Sequence, residues 1–512
     1  MNKLLSNTLS ISTVIALSAI LGSSGNCQVR RTTSPSVQTE YKRGVSLFAQ
    51  QRLDAARTAF TKVLAASPHD VPTLTYLGII ALREQQYADA VAPLEEVAHL
   101  QPASSDAHIN LGNAYEGLKR YDDAKHQFTL AASLNPRSIS ALYNLGGVYY
   151  ATKQFAQAVS TYRKAALLAP NDTDVLNNLA VALQAAGNLS AAIPVYQKTA
   201  AIEPTNSTYQ MNTALALQLL AKKSAQGSGS NRTASLWRMA TSSMQAAVKD
   251  APSNYRLRET YAEMLAQAGN NAAAIKQFNM ASAQEPMAFR PYYQLAMLQT
   301  KLANYKSAEG AARHALTIRP QDAAVLKLLG FTEFKLGRFD PAVHYYKAAA
   351  KVAPRDLTVW ENLGAAMQAA GNIEDVLLTI TQLTKQNSPP ASLAPLHRAA
   401  GYLYLTKGDP ESLKLAIDNY RLASQEDDTS SEAYNGLGLA YQKTGSVSAA
   451  LSAFQRAVAL NPRWSDAYNN LGVVYEAQGH LKLAAAAFKK ALTIDKYNQL
   501  AKTNLARLKG TH

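Results

Sequence analysis

Cysteine is almost missing: Cys27 is the only one among 512 residues, so no disulfide can form within the chain and any folded domain relies on packing alone. Charge is sparse as well. Only 17% of residues are Asp, Glu, Lys or Arg, and the net charge of +15 is spread along the chain with no run of five like charges. No segment interleaves aromatic side chains with clustered Lys and Arg, which argues against nucleic acid as a partner and leaves an anionic polymer as the charged partner class. The nine histidines are scattered, none at the paired spacing that binds zinc on a helix. There is no phosphate-cradling Gly-Lys-Ser/Thr loop. The stretch Gly227-Ser228-Gly229-Ser230 flanks its serine with glycine but follows no strand. The sequence therefore predicts a protein that is not an enzyme, with no active site, no cofactor and no metal.

What the chain does have is a period. Prolines stand 34 residues apart at Pro68, Pro102, Pro136, Pro170 and Pro204, and again at Pro252, Pro286, Pro320 and Pro354. A small residue follows each proline by ten positions (Gly78, Gly112, Gly146, Ala180, Ala262, Ala296, Gly330, Gly364), and twelve further on comes an alanine such as Ala90, Ala124 or Ala158. Four beyond that stands an aromatic, for example Phe128, Tyr162 or Phe278, on the same face of a second helix. Glycines such as Gly187, Gly269 and Gly337 mark a turn between the two helices. The unit is helix, turn, helix, and then a proline that ends the second helix.

The stretches Ala467 to Ala491 (AYNNLGVVYEAQGHLKLAAAAFKKA) and Ala141 to Ala165 carry the pattern nearly complete, and with it the chain resembles the tetratricopeptide repeat family. Thirteen units fit between Val37 and Asn498, ten of 34 residues, one of 48 and two of 37, so the resemblance covers about nine tenths of the chain. It implies an all-α solenoid, a right-handed superhelix of stacked hairpins with a concave groove that holds other proteins. Units occupy 37–220 and 236–356, with a Gly/Ser-containing insert at 221–235 that reads as a loop or as an extension of either flanking helix. Residues 357–430 hold two longer irregular units, broken at Ser388-Pro389-Pro390 and at Gly408-Asp409-Pro410. Two further units fill 431–498, and 499–512 reads as a capping helix and tail.

The N-terminus differs. Lys3 precedes an apolar run of thirteen residues, Leu9 to Leu21, too short to span a bilayer and of the length of a secretory signal's core, which assigns residues 1–26 to a signal peptide and 27–36 to a polar tether. The expectation is export from a bacterial cytoplasm to the periplasm or the outer membrane. Cys27 stands where bacterial lipoproteins carry their lipidated residue, but Asn26 occupies a place where a small residue is expected. Two outcomes stay open: acylation of Cys27, the only membrane contact foreseen, or cleavage near Gly25.

Two residues before each small packing position stand Asn110, Asn144, Asn178 and Asn212, 34 apart, with Asn362, Asn470 and Asn504 at the same place in later units. The repeats resemble those of the O-linked N-acetylglucosamine transferase repeat domain, and that resemblance implies that these amides line the groove and hold an extended peptide by its backbone. An amide suits this role because it donates and accepts at once. The alternative is that the asparagines cap or bridge neighbouring helices. Between the two Asn-rich segments the wall is more apolar, with Tyr292, Tyr293, Met297, Phe331 and Phe334. The carboxylate clamp of chaperone-binding relatives is absent, since Thr75, Ile79, Ser140 and Asn144 occupy its places. The reading is an exported protein-binding scaffold for extended or disordered segments. The rival readings are an envelope lipoprotein that serves polysaccharide or protein secretion, binding an anionic envelope polymer, and a targeting subunit of an enzyme complex.

Overall fold

The computed structural model describes residues 34–226, 230–384 and 393–510, and these form 27 α-helices and no strand. Cys27, the expected signal peptide and nearly all of the expected tether lie outside the described residues, as does Ser388-Pro389-Pro390. The chain divides into two compact units that meet in sequence at Asn270.

In the first unit α1 (Pro35–Ala49), α2 (Leu53–Ala66), α3 (Val71–Arg83), α4 (Tyr87–Leu100), α5 (Ser105–Gly117), α6 (Tyr121–Leu134), α7 (Ile139–Ala151) and α8 (Phe155–Leu168) form four hairpins in succession. They continue through α9 (Thr173–Ala185), α10 (Leu189–Ile202), α11 (Ser207–Ala225), α12 (Ser230–Asp250) and α13 (Tyr255–Gln267). The second unit begins with α14 (Asn271–Gln284), α15 (Phe289–Lys301), α16 (Tyr305–Ile318), α17 (Ala323–Lys335), α18 (Phe339–Val352), α19 (Leu357–Ala370) and α20 (Ile373–Thr384). It ends with α21 (Ala394–Lys407), α22 (Pro410–Glu426), α23 (Ser431–Lys443), α24 (Val447–Leu460), α25 (Ser465–Ala477), α26 (Leu481–Ile494) and α27 (Gln499–Gly510).

Two residues after the periodic proline stands the residue that caps the first helix, and there Asp70, Ser104, Ser138, Asp172 and Asn206 each accept a backbone N–H of the first turn. Such a cap stabilises a helix by about 1 kcal/mol. The turn that ends the first helix puts one residue in the left-handed region. Glycine holds that place at Gly187 (φ 81°), but Gln51, Gln85, Lys119, Lys153 and Ala303 hold it elsewhere with φ near 60°. The small packing residue is explained by the aromatic that lies on it. A Cβ added at Gly112 would stand 2.5 Å from the ring of Phe128, and one at Gly438 would stand 2.6 Å from Phe454. Both rings are fully buried between their two helices.

The Gly/Ser insert is mostly helical. α11 and α12 run through it from both sides to 19 and 21 residues, leaving only 227–229 undescribed, and Thr233 donates to Ser224 across the lengthened hairpin. In the irregular segment Gly408 takes φ 74°, Asp409 caps α22, and that helix grows to 17 residues where α24 has 14. Within each unit the first helices of neighbouring hairpins touch, as α3 with α5, α5 with α7, α17 with α19 and α23 with α25, whereas no pair of second helices among the described residues makes comparable contact. The stack therefore bends locally toward its first helices, which form the inner wall of each unit.

Candidate partner-binding wall

On that wall the asparagine row runs along the line where adjacent first helices meet. Asn144 donates its amide to Asn113 on the first helix of the preceding hairpin at 2.8 Å, and Asn212 likewise to Asn177 at 2.9 Å. Toward the C-terminus Asn470 donates to Asn435 at 3.1 Å and Asn504 to Asn469 at 2.9 Å. Asn110, Asn144, Asn178 and Asn212 are buried, while Asn362, Asn470 and Asn504 are half-buried. Thus the bridging role, foreseen as the alternative, is real: an amide buried between two helices satisfies itself on its neighbour. The acceptors Asn113, Asn177, Asn435 and Asn469 escaped the reading of the sequence. The doublets Asn177-Asn178 and Asn469-Asn470 were the signal that could have revealed them.

Bridging leaves part of the row unused. The Oδ1 atoms of Asn110 and Asn212, the Nδ2 of Asn113 and the Oε1 of Gln184 are buried without a hydrogen-bond partner. Asn178 stands near the hydroxyls of Tyr143 and Tyr162, both held well above the usual phenol range by burial. One turn beyond Asn113 lies Glu116, which makes no ion pair among the described residues and whose carboxyl burial pushes up to about 7 from an ordinary 4.5. On the facing helix α7 the place that matches Asn113 is Gly147. Its missing side chain leaves a small depression with room for at least a methyl, since a Cβ there would make ordinary contacts with the Tyr162 hydroxyl at 3.6 Å and the Glu116 Oε1 at 3.8 Å. Tyr150 stands a turn further on, and burial holds the phenols of Tyr162 and Tyr196 well above their usual range, so both are neutral donors.

The apolar stretch of the second unit is only partly a wall. Met297 is 45% exposed, Tyr293 stacks on Phe289 at 5.6 Å, and Phe331 lies between the edge of Tyr305 and the ammonium of Lys335. Tyr292 departs from the expected placement. It stacks on His314 of α16, the second helix of its own hairpin, because it is one residue, and so about 100° around the helix, from Tyr293. Phe334 packs edge-on against Phe339 at the start of α18. Beneath this stretch the buried Glu333 pairs with Arg313 at 3.0 Å and Arg338 at 2.8 Å. Among the described residues no group of His, Cys, Asp and Glu is arranged to hold a metal. No described helix is long and apolar enough to cross a membrane.

Sequence-family comparison matches the tetratricopeptide repeat at residues 41–107, 77–139, 109–174, 149–219, 234–288, 289–322 and 435–499, more than half of the chain. The chain belongs to the tetratricopeptide repeat family. A stack of such repeats is a scaffold for protein–protein interaction. Among curated proteins, the human protein O-mannosyl-transferase TMTC1 is 29% identical over 124 residues, 23% of this chain and 14% of that protein. The CTR9 homolog of Arabidopsis thaliana is 27% identical over 135 residues, 26% of this chain and 12% of that protein. The chain thus spans a small part of the curated relatives it matches. Among solved structures, MamA is 25% identical over 34% of this chain and 95% of its own, with a TM-score of 0.32. The Cut9 and Hcn1 hetero-tetramer of APC/C is 15% identical over 97% of this chain and 99% of its own, with a TM-score of 0.34.

Proposed function

We propose that the protein is an exported, non-catalytic scaffold that holds an extended segment of a partner protein along the first-helix wall of its first unit. The observation that carries this reading is the set of unpartnered buried amide atoms at Asn110, Asn113, Gln184 and Asn212, all on one wall. An unsatisfied buried polar group costs about 1–3 kcal/mol, so these shielded amides would gain by turning toward an extended chain whose backbone offers both donors and acceptors. The thirteen-residue apolar run after Lys3 supports export.

Selection of random linear peptides displayed on phage against the purified chain tests the wall. Peptides should enrich, and Asn110→Ala combined with Gln184→Ala should weaken them without lowering the thermal midpoint, since neither side chain bridges two helices and each carries an unpartnered buried atom. Failure to enrich any linear peptide overturns the reading. Mass spectrometry of the mature N-terminus tests export, and the mass of the terminal residue separates an acylated Cys27 from a cut near Gly25.

A further inference from the structure

The chain carries 51 Lys and Arg residues and a net charge of +15, yet α5, α7, α9 and α11 as far as Ala221 contain not one of them. The same helices carry Asp106, Glu116 and Asp174. The inner wall of the third to sixth hairpins is therefore acidic in a basic protein. Its most confined carboxylate, Glu116, borders the Gly147 depression and has no cation of its own among the described residues. The depression is polar on every side that the structure defines. Glu116 Oε1 and the Tyr162 hydroxyl bound it, and Asn113, with an unpartnered amide nitrogen, stands one turn before Glu116 and bridges to Asn144, one turn before Gly147. Glycine is what keeps this space open. The same register holds Ile79, Asn113, Val181 and Leu215 in the neighbouring first helices.

We infer that the Gly147 depression is a subsite for a lysine or arginine side chain of the bound partner segment, with its cationic head against the Glu116 carboxylate. The inference rests on the proposed capture of an extended segment and adds what that segment must carry. A cation there would supply the counter-charge that Glu116 lacks, and the Tyr162 hydroxyl would accept one of its N–H bonds. The acidic inner layer would draw basic segments in and turn away acidic ones.

The test repeats the phage selection with wild type and Glu116→Gln, and then measures fluorescence anisotropy of one enriched peptide with lysine or acetyl-lysine at the basic place. Lysine or arginine should enrich at one fixed position, and Glu116→Gln should abolish that preference while the rest of the selected pattern persists. The lysine peptide should bind about tenfold tighter than its acetyl-lysine form, as for a hydrogen bond to a charged group, and equally on Glu116→Gln. Gly147→Ala, whose added methyl meets ordinary contacts, should narrow the difference without unfolding the chain. Peptides that enrich with no basic preference, or with one that survives Glu116→Gln, overturn the subsite and leave the wall reading intact. If no linear peptide enriches, both fall together.

Discussion

Asn212 donates its side-chain amide to Asn177, 35 residues earlier in the chain, at 2.9 Å, and Asn504 repeats the relationship with Asn469. The donor stands two residues before the small packing position, and the acceptor stands one residue before the corresponding asparagine of the preceding hairpin. A hydrogen bond thus ties each such first helix to the one before it, and the tie lies on the inner side of the bend. Asn177→Ala should cost about 1–3 kcal/mol, because it leaves the buried Asn212 amide without its acceptor. The double variant Asn177→Ala with Asn212→Ala should cost less than the sum of the two singles, since the pair fails as one. Urea denaturation of the four proteins checks this, and simple additivity would refute the bridge as an energetic pair.

The left-handed turn supplies a second expectation. Ala303 adopts φ 58° where Gly187 and Gly269 take the same conformation without a side chain. An L-residue other than glycine pays about 1 kcal/mol there, so Ala303→Gly and Gln85→Gly should each raise stability by about that amount. Gly187→Ala should lower it, although a Cβ at Gly187 meets nothing within 4 Å, so the loss would come from the backbone angle alone. Thermal midpoints of the three variants give the signs.

Glycines inside the helices separate into two kinds. Gly112→Ala places a methyl 2.5 Å from Phe128 and should cost about 1–3 kcal/mol as the ring is driven off its site. Gly310 lies within α16 with nothing within 4 Å of an added Cβ, so Gly310→Ala should stabilise that helix by about 1 kcal/mol. The same substitution in one protein should thus move urea midpoints in opposite directions.

The repeat was legible because its constraints are local and steric. Pro68, Gly112 and Phe128 each mark a place that few residue types can fill, and a fixed period makes them additive. For the insert the sequence left loop and helix extension open, since Gly227 to Ser230 has a loop composition, and the helices α11 and α12 that run into it from both sides decide for extension. The left-handed turns at Lys119 and Ala303 were missed because the fold imposes that angle on residues that do not prefer it. Of the candidate wall, the asparagine register could be read directly, but its division between bridging and unpartnered atoms depends on which neighbour lies within 3 Å. Glu116 drew no notice because a lone glutamate on a helix is ordinary. Only the absence of a side chain at Gly147 and the burial around its carboxyl distinguish it.

That burial makes Glu116 a source of pH dependence in folding. Its carboxyl titrates at about 7 in the folded chain against 4.5 for an ordinary glutamate, with desolvation as the cause. Between these two values the unfolded chain has lost the proton and the folded chain keeps it, so the folded state binds more protons and stability falls as pH rises. Below about 4.5 both states are protonated and the penalty is absent. Above about 7 both are ionised and it is complete, at up to about 2 kcal/mol once partial exposure is allowed for. Glu116→Gln removes the ionisation and keeps the shape. Its urea midpoint should match wild type near pH 4.5 and exceed it at pH 8, whereas an equal gain at both would mean that the carboxylate is already solvated. Because a cationic ligand favours the ionised form, binding of a lysine peptide should pull the same titration downward, tighten as pH rises through 7 and release protons that calorimetry in buffers of different ionisation enthalpy would count.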